Sequence, residues 1–234
     1  MSNLMRYLLF AMTLLLVASC AQLKQNSLKG PGWYLVKPTD TLYSIAWRYD
    51  LDYRTLAEWN GLSDPYTVHP GQQLVLIKPD NIPPPVQQKV PESSQKSTHV
   101  VVKSLTPDYN RVIRWRWPTE GTVEKGFSIN DLDSHGIDIA GAIGQPVYAV
   151  AEGKVVYSGN GLADYGNLII VKHNETFLSA YAFTRKRLVD EGVVVKRGAK
   201  IAEMGRGRNN SAILHFQIRK DGKPVDPELY LPKP

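Results

Sequence analysis

Ile213-Leu214-His215-Phe216-Gln217-Ile218-Arg219, followed at once by Lys220-Asp221-Gly222, decides how the second half of this chain folds. It reads as a strand running into a tight turn, because Asp-Gly supplies the left-handed backbone a two-residue hairpin needs. Ile213 and His215 then face the same way. Working outward, similar runs lie between turn residues. Thr122-Val123 leads toward Phe127. Pro146 to Val150 and Lys154 to Tyr157 flank Glu152-Gly153. Leu168 to Val171 and Phe177 to Ala182 flank His173-Asn174-Glu175. Ile201-Ala202 follows Lys196-Arg197-Gly198, and only Arg185 to Asp190 hints at helix. Residues 114–234 are expected to form an antiparallel all-β domain with its own core.

Chemistry concentrates at two places in that domain. Ser134-His135-Gly136-Ile137-Asp138 has the spacing of a metal-ligand pair with one ligand missing, and Ile213-Leu214-His215 is half of another. Around them stand Gly136 to Ala140, Gly144 to Val147, Gly153 to Val156, Tyr165 to Leu168, Ser179 to Ala182, Val195 to Gly198, Met204-Gly205 and Leu214 to Arg219. Taken in order, from Trp117-Pro118 to Tyr230-Leu231-Pro232, these segments resemble the lysostaphin/LytM zinc peptidase family. Active members cut peptidoglycan cross-links with a zinc held by three ligands, its fourth position open to water.

The resemblance implies ligands at Ser134, Asp138 and His215, and catalytic histidines at Phe183, after Tyr181-Ala182, and at Ile213. Only Asp138 and His215 keep the family's residue. His135 stands one residue out of register. In extended backbone that shift turns a side chain to the opposite face. No catalytic residue is therefore expected, zinc is not expected as a cofactor, and Asp138 and His215 are vestigial. They are expected to hydrogen-bond to each other or to Ser134. The former active-site groove, with Ser134, Asp138, Tyr181, Phe183, Ile213 and His215, becomes a candidate contact surface. His173 reads as a satisfied hairpin residue, and His69 and His99 as incidental.

Residues 32–78 form a separate small module. Trp33 to Val36 reads as a strand. Leu42, Ile45, Ala46 and Tyr49 fall at helical spacing behind Thr39, Asp40 and Thr41, any of which can cap a helix. Tyr53 to Trp59 is a second helix stopped by Asn60-Gly61, and Leu74 to Ile77 returns as a strand after Pro70-Gly71. Val36 to Leu42, Ile45-Ala46, Leu56, Asn60 to Leu62 and Pro70 to Leu74 resemble a LysM domain. That resemblance implies binding of N-acetylglucosamine-containing glycans such as peptidoglycan, between Thr39, Asp40, Thr41 and Leu42 on one side and Leu62, Ser63, Pro65 and Tyr66 on the other. Thr39 replaces the usual glycine there, at little cost unless the backbone is left-handed.

The remaining stretches connect and anchor. Tyr7 to Val17 is nearly all apolar but too short to span a bilayer, and Arg6 precedes it. Val17-Ala18-Ser19-Cys20 resembles a bacterial lipobox, which implies a signal peptide over 1–19 and acylation of Cys20, the only cysteine. Residues 20–31 read as a tether and 79–113, rich in proline and polar residues, as a disordered linker that lets the modules move independently. Val100 to Val102 is a candidate stray strand. A net charge of +6 suits an anionic envelope or membrane surface. No zinc-finger, helix-turn-helix or RNA-binding pattern points to nucleic acid.

The chain is thus expected to be multidomain: a small α+β LysM module (βααβ) and a mainly antiparallel all-β LytM/lysostaphin-type domain. This order is similar to the NlpD type of envelope lipoprotein. The likeness implies an outer-membrane lipoprotein facing the periplasm. It also implies a non-enzymatic activator of N-acetylmuramyl-L-alanine amidases, which split daughter-cell peptidoglycan. The alternatives are a structural tether between membrane and wall, or a zinc endopeptidase with altered ligands.

Overall fold

The computed structural model describes residues 32–78, 112–131 and 134–233. The signal, the tether, nearly all of the linker and the Val100 to Val102 run lie outside them. The N-terminal module is β1 (Trp33–Leu35), α1 (Leu42–Arg48), α2 (Tyr53–Trp59) and β2 (Gln73–Val75), with β1 and β2 antiparallel. Thr41 opens α1 through a capping box: its hydroxyl accepts from the Ser44 N–H while the Ser44 hydroxyl accepts from the Thr41 N–H. Asp52 caps α2 by accepting from the Arg54 and Thr55 N–H groups. Asn60 ends α2 and ties it to β2, its side chain donating to the Val75 carbonyl and accepting from the Val75 N–H. Thr39 is not among the residues with left-handed backbone, so the missing glycine costs nothing there.

The C-terminal domain is β throughout, with two short 3-10 turns. Its strands are β3 (Val123–Lys125), β4 (Ile137–Ala140), β5 (Pro146–Tyr148), β6 (Gly153–Gly159), β7 (Leu168–Lys172), β8 (Phe177–Ala182), β9 (Thr184–Arg187), β10 (Val194–Val195), β11 (Lys200–Arg206), β12 (Ala212–Lys220) and β13 (Lys223–Val225). Every pairing is antiparallel, and β12 is the hub, bonded to β4, β8, β11 and β13. The Asp221-Gly222 turn joins β12 to β13 with both residues left-handed, at φ 49° and 75°.

Two expectations are corrected. Arg185 and its neighbours form β9, because pairing with β11 overrides a weak local helix signal. The tight turn expected at Glu152-Gly153 does not join paired strands: β5 pairs with β11, whereas β6 pairs with β7 and β10.

Alternation along β12 builds two layers. Leu214, Phe216 and Ile218 join the domain core with Ile137, Ile139, Val155, Ile169 and Tyr181. On the opposite face, Leu168, Ile170, Leu178 and Ala180 share a cluster with the interior of the N-terminal module, including Trp47, Tyr53 and Leu56. The modules therefore pack together rather than moving independently as their linker suggests. Polar ties border the seam. The Tyr53 hydroxyl donates to Glu175 at 2.7 Å, Arg54 pairs with Asp221 at 2.8 Å, and Lys223 donates to the Asp50 carbonyl at 3.0 Å. Arg219 lies at the centre. It pairs with Asp50 at 2.8 Å, donates to the Trp47 carbonyl and stacks 3.8 Å from the Trp47 ring centroid. Burial pulls its guanidinium below its ordinary pKa, although Asp50 works the other way.

Candidate functional site

β4 and β12 bring the two vestigial residues together. His215 stands opposite Asp138 in the ladder, so both side chains leave the same face of the sheet. The distance between His215 Nδ1 and Asp138 Oδ1 is 2.6 Å, and the amide nitrogen of Gln217 lies 2.9 Å from His215 Nε2. Because that amide can only donate, Nε2 is the acceptor and Nδ1–H donates to the carboxylate. Both imidazole nitrogens are engaged by the protein.

Phe183 and Ile213 flank this pair. The Phe183 ring centroid is 6.0 Å from that of His215, and Tyr165 packs 6.1 Å away on another side. Phe183 sits in the break between β8 and β9 with φ 58°, an unfavourable conformation for a bulky residue. Its N–H donates to the Tyr165 carbonyl and its carbonyl accepts from the Gly205 N–H, which hold it there. Asp138, Phe183, Ile213 and His215 all line one cavity of about 1020 Å³.

Three expectations about this groove change. Ser134 does not line it; its hydroxyl donates to Asp131 at 2.7 Å. Tyr181 is fully buried on the other face against Phe216; its oxygen accepts from the Val150 N–H and lies 3.0 Å from the Ser179 hydroxyl. Tyr181 is therefore core, not contact surface. His135 does line the cavity, because strand alternation begins only at Ile137 and the Ser134 to Gly136 backbone turns irregularly before it. Gly136 permits that approach: a Cβ there would stand 2.3 Å from the Phe216 carbonyl oxygen. Among the described residues, no group of three or more His, Cys, Asp or Glu side chains is placed to hold a metal ion. His173 is buried between the Glu152 carbonyl and the Ser179 hydroxyl, each 2.8 Å away, and burial lowers its pKa to about 4.

Sequence reasoning missed Gln217, Tyr165 and Arg208, which line the same cavity. Gln217 was accessible in principle, being two residues beyond His215 on the same strand face. The residues no pattern could supply are those of the other module: Tyr34, Lys37, Trp47, Arg48, Tyr49 and Asp50 form part of the cavity wall.

The expected glycan loops also sort themselves. Leu42 is in the core at 1% exposure. The Asp40 carboxylate is turned inward, accepting from the Tyr34 hydroxyl at 2.6 Å and the Lys37 N–H at 2.8 Å and pairing with Arg48. Neither side chain is free to meet a glycan, and Asp40 caps no helix. Thr41 is committed to its capping box. Thr39, Ser63 and Pro65 are exposed, while Leu62 and Tyr66 are half-buried, Tyr66 lying edge-on to Tyr43 and Tyr53.

Two domain families match the chain: LysM over residues 34–76 and Peptidase family M23 over residues 133–227. A Pseudomonas aeruginosa protein named lipoprotein NlpD/LppB homolog is 42% identical, the alignment covering 86% of this chain and 77% of that protein. The Escherichia coli murein hydrolase activator NlpD is 36% identical over 86% of this chain and 68% of its own length. An uncharacterized lipoprotein of the same species, YgeR, is 40% identical over 93% and 89%. Among solved structures, a zinc-containing peptidase from Vibrio cholerae is 31% identical over 48% of this chain and 39% of that one, with a TM-score of 0.44. The lysostaphin catalytic domain of Staphylococcus simulans is 26% identical over 48% and 91%, with a TM-score of 0.42.

Proposed function

The chain belongs to the NlpD/LppB family of lipoproteins, which join a LysM domain to a peptidase M23 domain, and we propose that it activates cell-wall amidases without hydrolysing peptidoglycan itself. Relatives named murein hydrolase activators support this reading. The observation that carries it is the closed contact between Asp138 and His215, with Phe183 and Ile213 beside it.

Hydrolysis by this fold needs a bound, activated water and a group to move its proton. Here the remaining donors are Asp138 and His215, with the His215 Nδ1–H turned into the carboxylate and Nε2 occupied by Gln217. Phe183 and Ile213 carry no proton. Two donors held against each other do not fit a resident zinc, and no step is routed through one. What the site retains is shape: a groove with apolar flanks and a polar floor, suited to hold an element of a partner protein. The partner is an N-acetylmuramyl-L-alanine amidase, activated because the groove binds its open state better than its closed one. The LysM module contributes binding to peptidoglycan, through Thr39, Ser63, Pro65 and Tyr66. Acylation at Cys20 holds the chain at the outer membrane, facing the periplasm.

Dye release from labelled sacculi tests this. The purified chain should release nothing alone and should stimulate release when the amidase is present. Digestion by the chain alone defeats the reading, and silence in both arms favours a structural tether.

A further inference from the structure

Ile213, His215, Gln217 and Arg219 lie on one face of β12. The first three line the cavity, whereas Arg219 lies beneath Trp47 of the LysM module. The groove surface therefore continues under that module. Anything lying along β12 from Ile213 meets its wall at Gln217.

The seam has the character of a contact made to open. Among the described residues, the buried side-chain atoms without a hydrogen-bond partner are Trp47 Nε1, Gln217 Oε1 and Arg219 Nε. Trp47 and Arg219 belong to this seam, and Gln217 lines the cavity at its edge. A permanent core leaves few such atoms, because each gives up its bond to water and gains nothing. Trp47 and Asp50 of the module cover Arg219, and separation returns its guanidinium and the orphaned Trp47 and Arg219 nitrogens to water. Contacts between domains of one chain behave like transient protein–protein contacts unless large and apolar; here the apolar cluster shared by the two modules holds the cover closed, and the polar defects around Arg219 weaken it.

Building on the amidase-activator reading, we propose that the LysM module is an intramolecular cover of the groove, and that the amidase engages only after this module has swung away from β12. The closed arrangement excludes the partner by occupying the Arg219 end of its surface. Cover and amidase then compete, and the strength of the seam sets how much chain is needed for activation.

Two close approaches allow the seam to be opened or locked. At Gly222, a Cβ would lie 2.5 Å from Asp52 Cα, so a side chain there drives the module off. Gly222→Asn is the choice, because asparagine tolerates the left-handed backbone of the hairpin turn. At Gly161, a Cβ would lie 3.0 Å from Thr39 Oγ1. That is about the separation between one sulfur and the partner's Cβ in a disulfide, so Thr39→Cys with Gly161→Cys should lock the module shut.

The experiment uses the full-length chain in a Cys20→Ser background, which leaves no other thiol. Amidase-dependent dye release is titrated for the parent, for Gly222→Asn, and for the double cysteine variant before and after reduction. Small-angle scattering follows the same samples. Gly222→Asn is expected to expand the particle and to need about tenfold less chain for half-maximal stimulation. The oxidised cysteine variant is expected to stimulate about tenfold less than its own reduced form while the two forms sediment equally with unlabelled sacculi, and weaker sedimentation of the oxidised form by the same factor overturns the cover. Equal stimulation by its oxidised and reduced forms overturns the cover while leaving the activator reading intact. Absence of stimulation by every form sinks the activator reading, and the cover with it.

Discussion

At the scale of single residues, the contact between His215 and Asp138 governs what chemistry remains. Restoring the missing first ligand alone should not restore hydrolysis. Ser134→His is expected to release no dye from labelled sacculi in the absence of amidase, because Phe183 and Ile213 still offer no proton transfer. His173 makes a different prediction. Its buried imidazole is held neutral, with a pKa near 4 against an ordinary 6.5. As pH falls, the unfolded chain takes up this proton first. Stability from this residue is complete above about pH 6.5 and declines toward pH 4, by about 3 kcal/mol in total. Denaturation midpoints measured across that window should slope for the parent and flatten for His173→Gln. The Asp138 and His215 pair was legible through the family resemblance. The positions of His135, Ser134 and Tyr181 were not, because each depends on where regular alternation starts or on which face of a sheet is covered.

At the scale of elements, the helices were the most readable part. Helical spacing, a cap among Thr39, Asp40 and Thr41, and the Asn60-Gly61 stop are all local signals, and α2 spans Tyr53–Trp59 as the pattern indicates; that Thr41 is the cap only the structure decides. Asn60 does more than stop a helix, since it satisfies both backbone groups of Val75. Asn60→Ala should destabilise the LysM module by about 2 kcal/mol, through an unsatisfied Val75 N–H and carbonyl. Thermal melts of the parent and variant decide it. Strand pairing was less readable. Pro146 to Val150 was visible as a strand, yet its partner β11 is distant in sequence, as is β10, the second partner of the Lys154 to Tyr157 run. The Arg185 segment carries no apolar alternation strong enough to declare it a strand before β11 is present to pair with it.

At the scale of the whole molecule, the LysM module and the β domain pack against each other through one apolar cluster. Cys20→Ser should move the protein from the membrane fraction to the soluble fraction on cell fractionation, because stable anchoring rests on the acyl chains. Order of domains and family membership were determined by sequence. Each is a matter of residue identity at a fixed spacing. Only the tertiary structure decided that the LysM module lies on the groove face, with Arg219 sealed beneath Trp47 and Asp50. The physical reason is range. Spacing and capping act within a few residues, whereas this seam joins side chains 169 and 172 positions apart in the chain, and complementarity between two separate surfaces leaves no periodic mark on either.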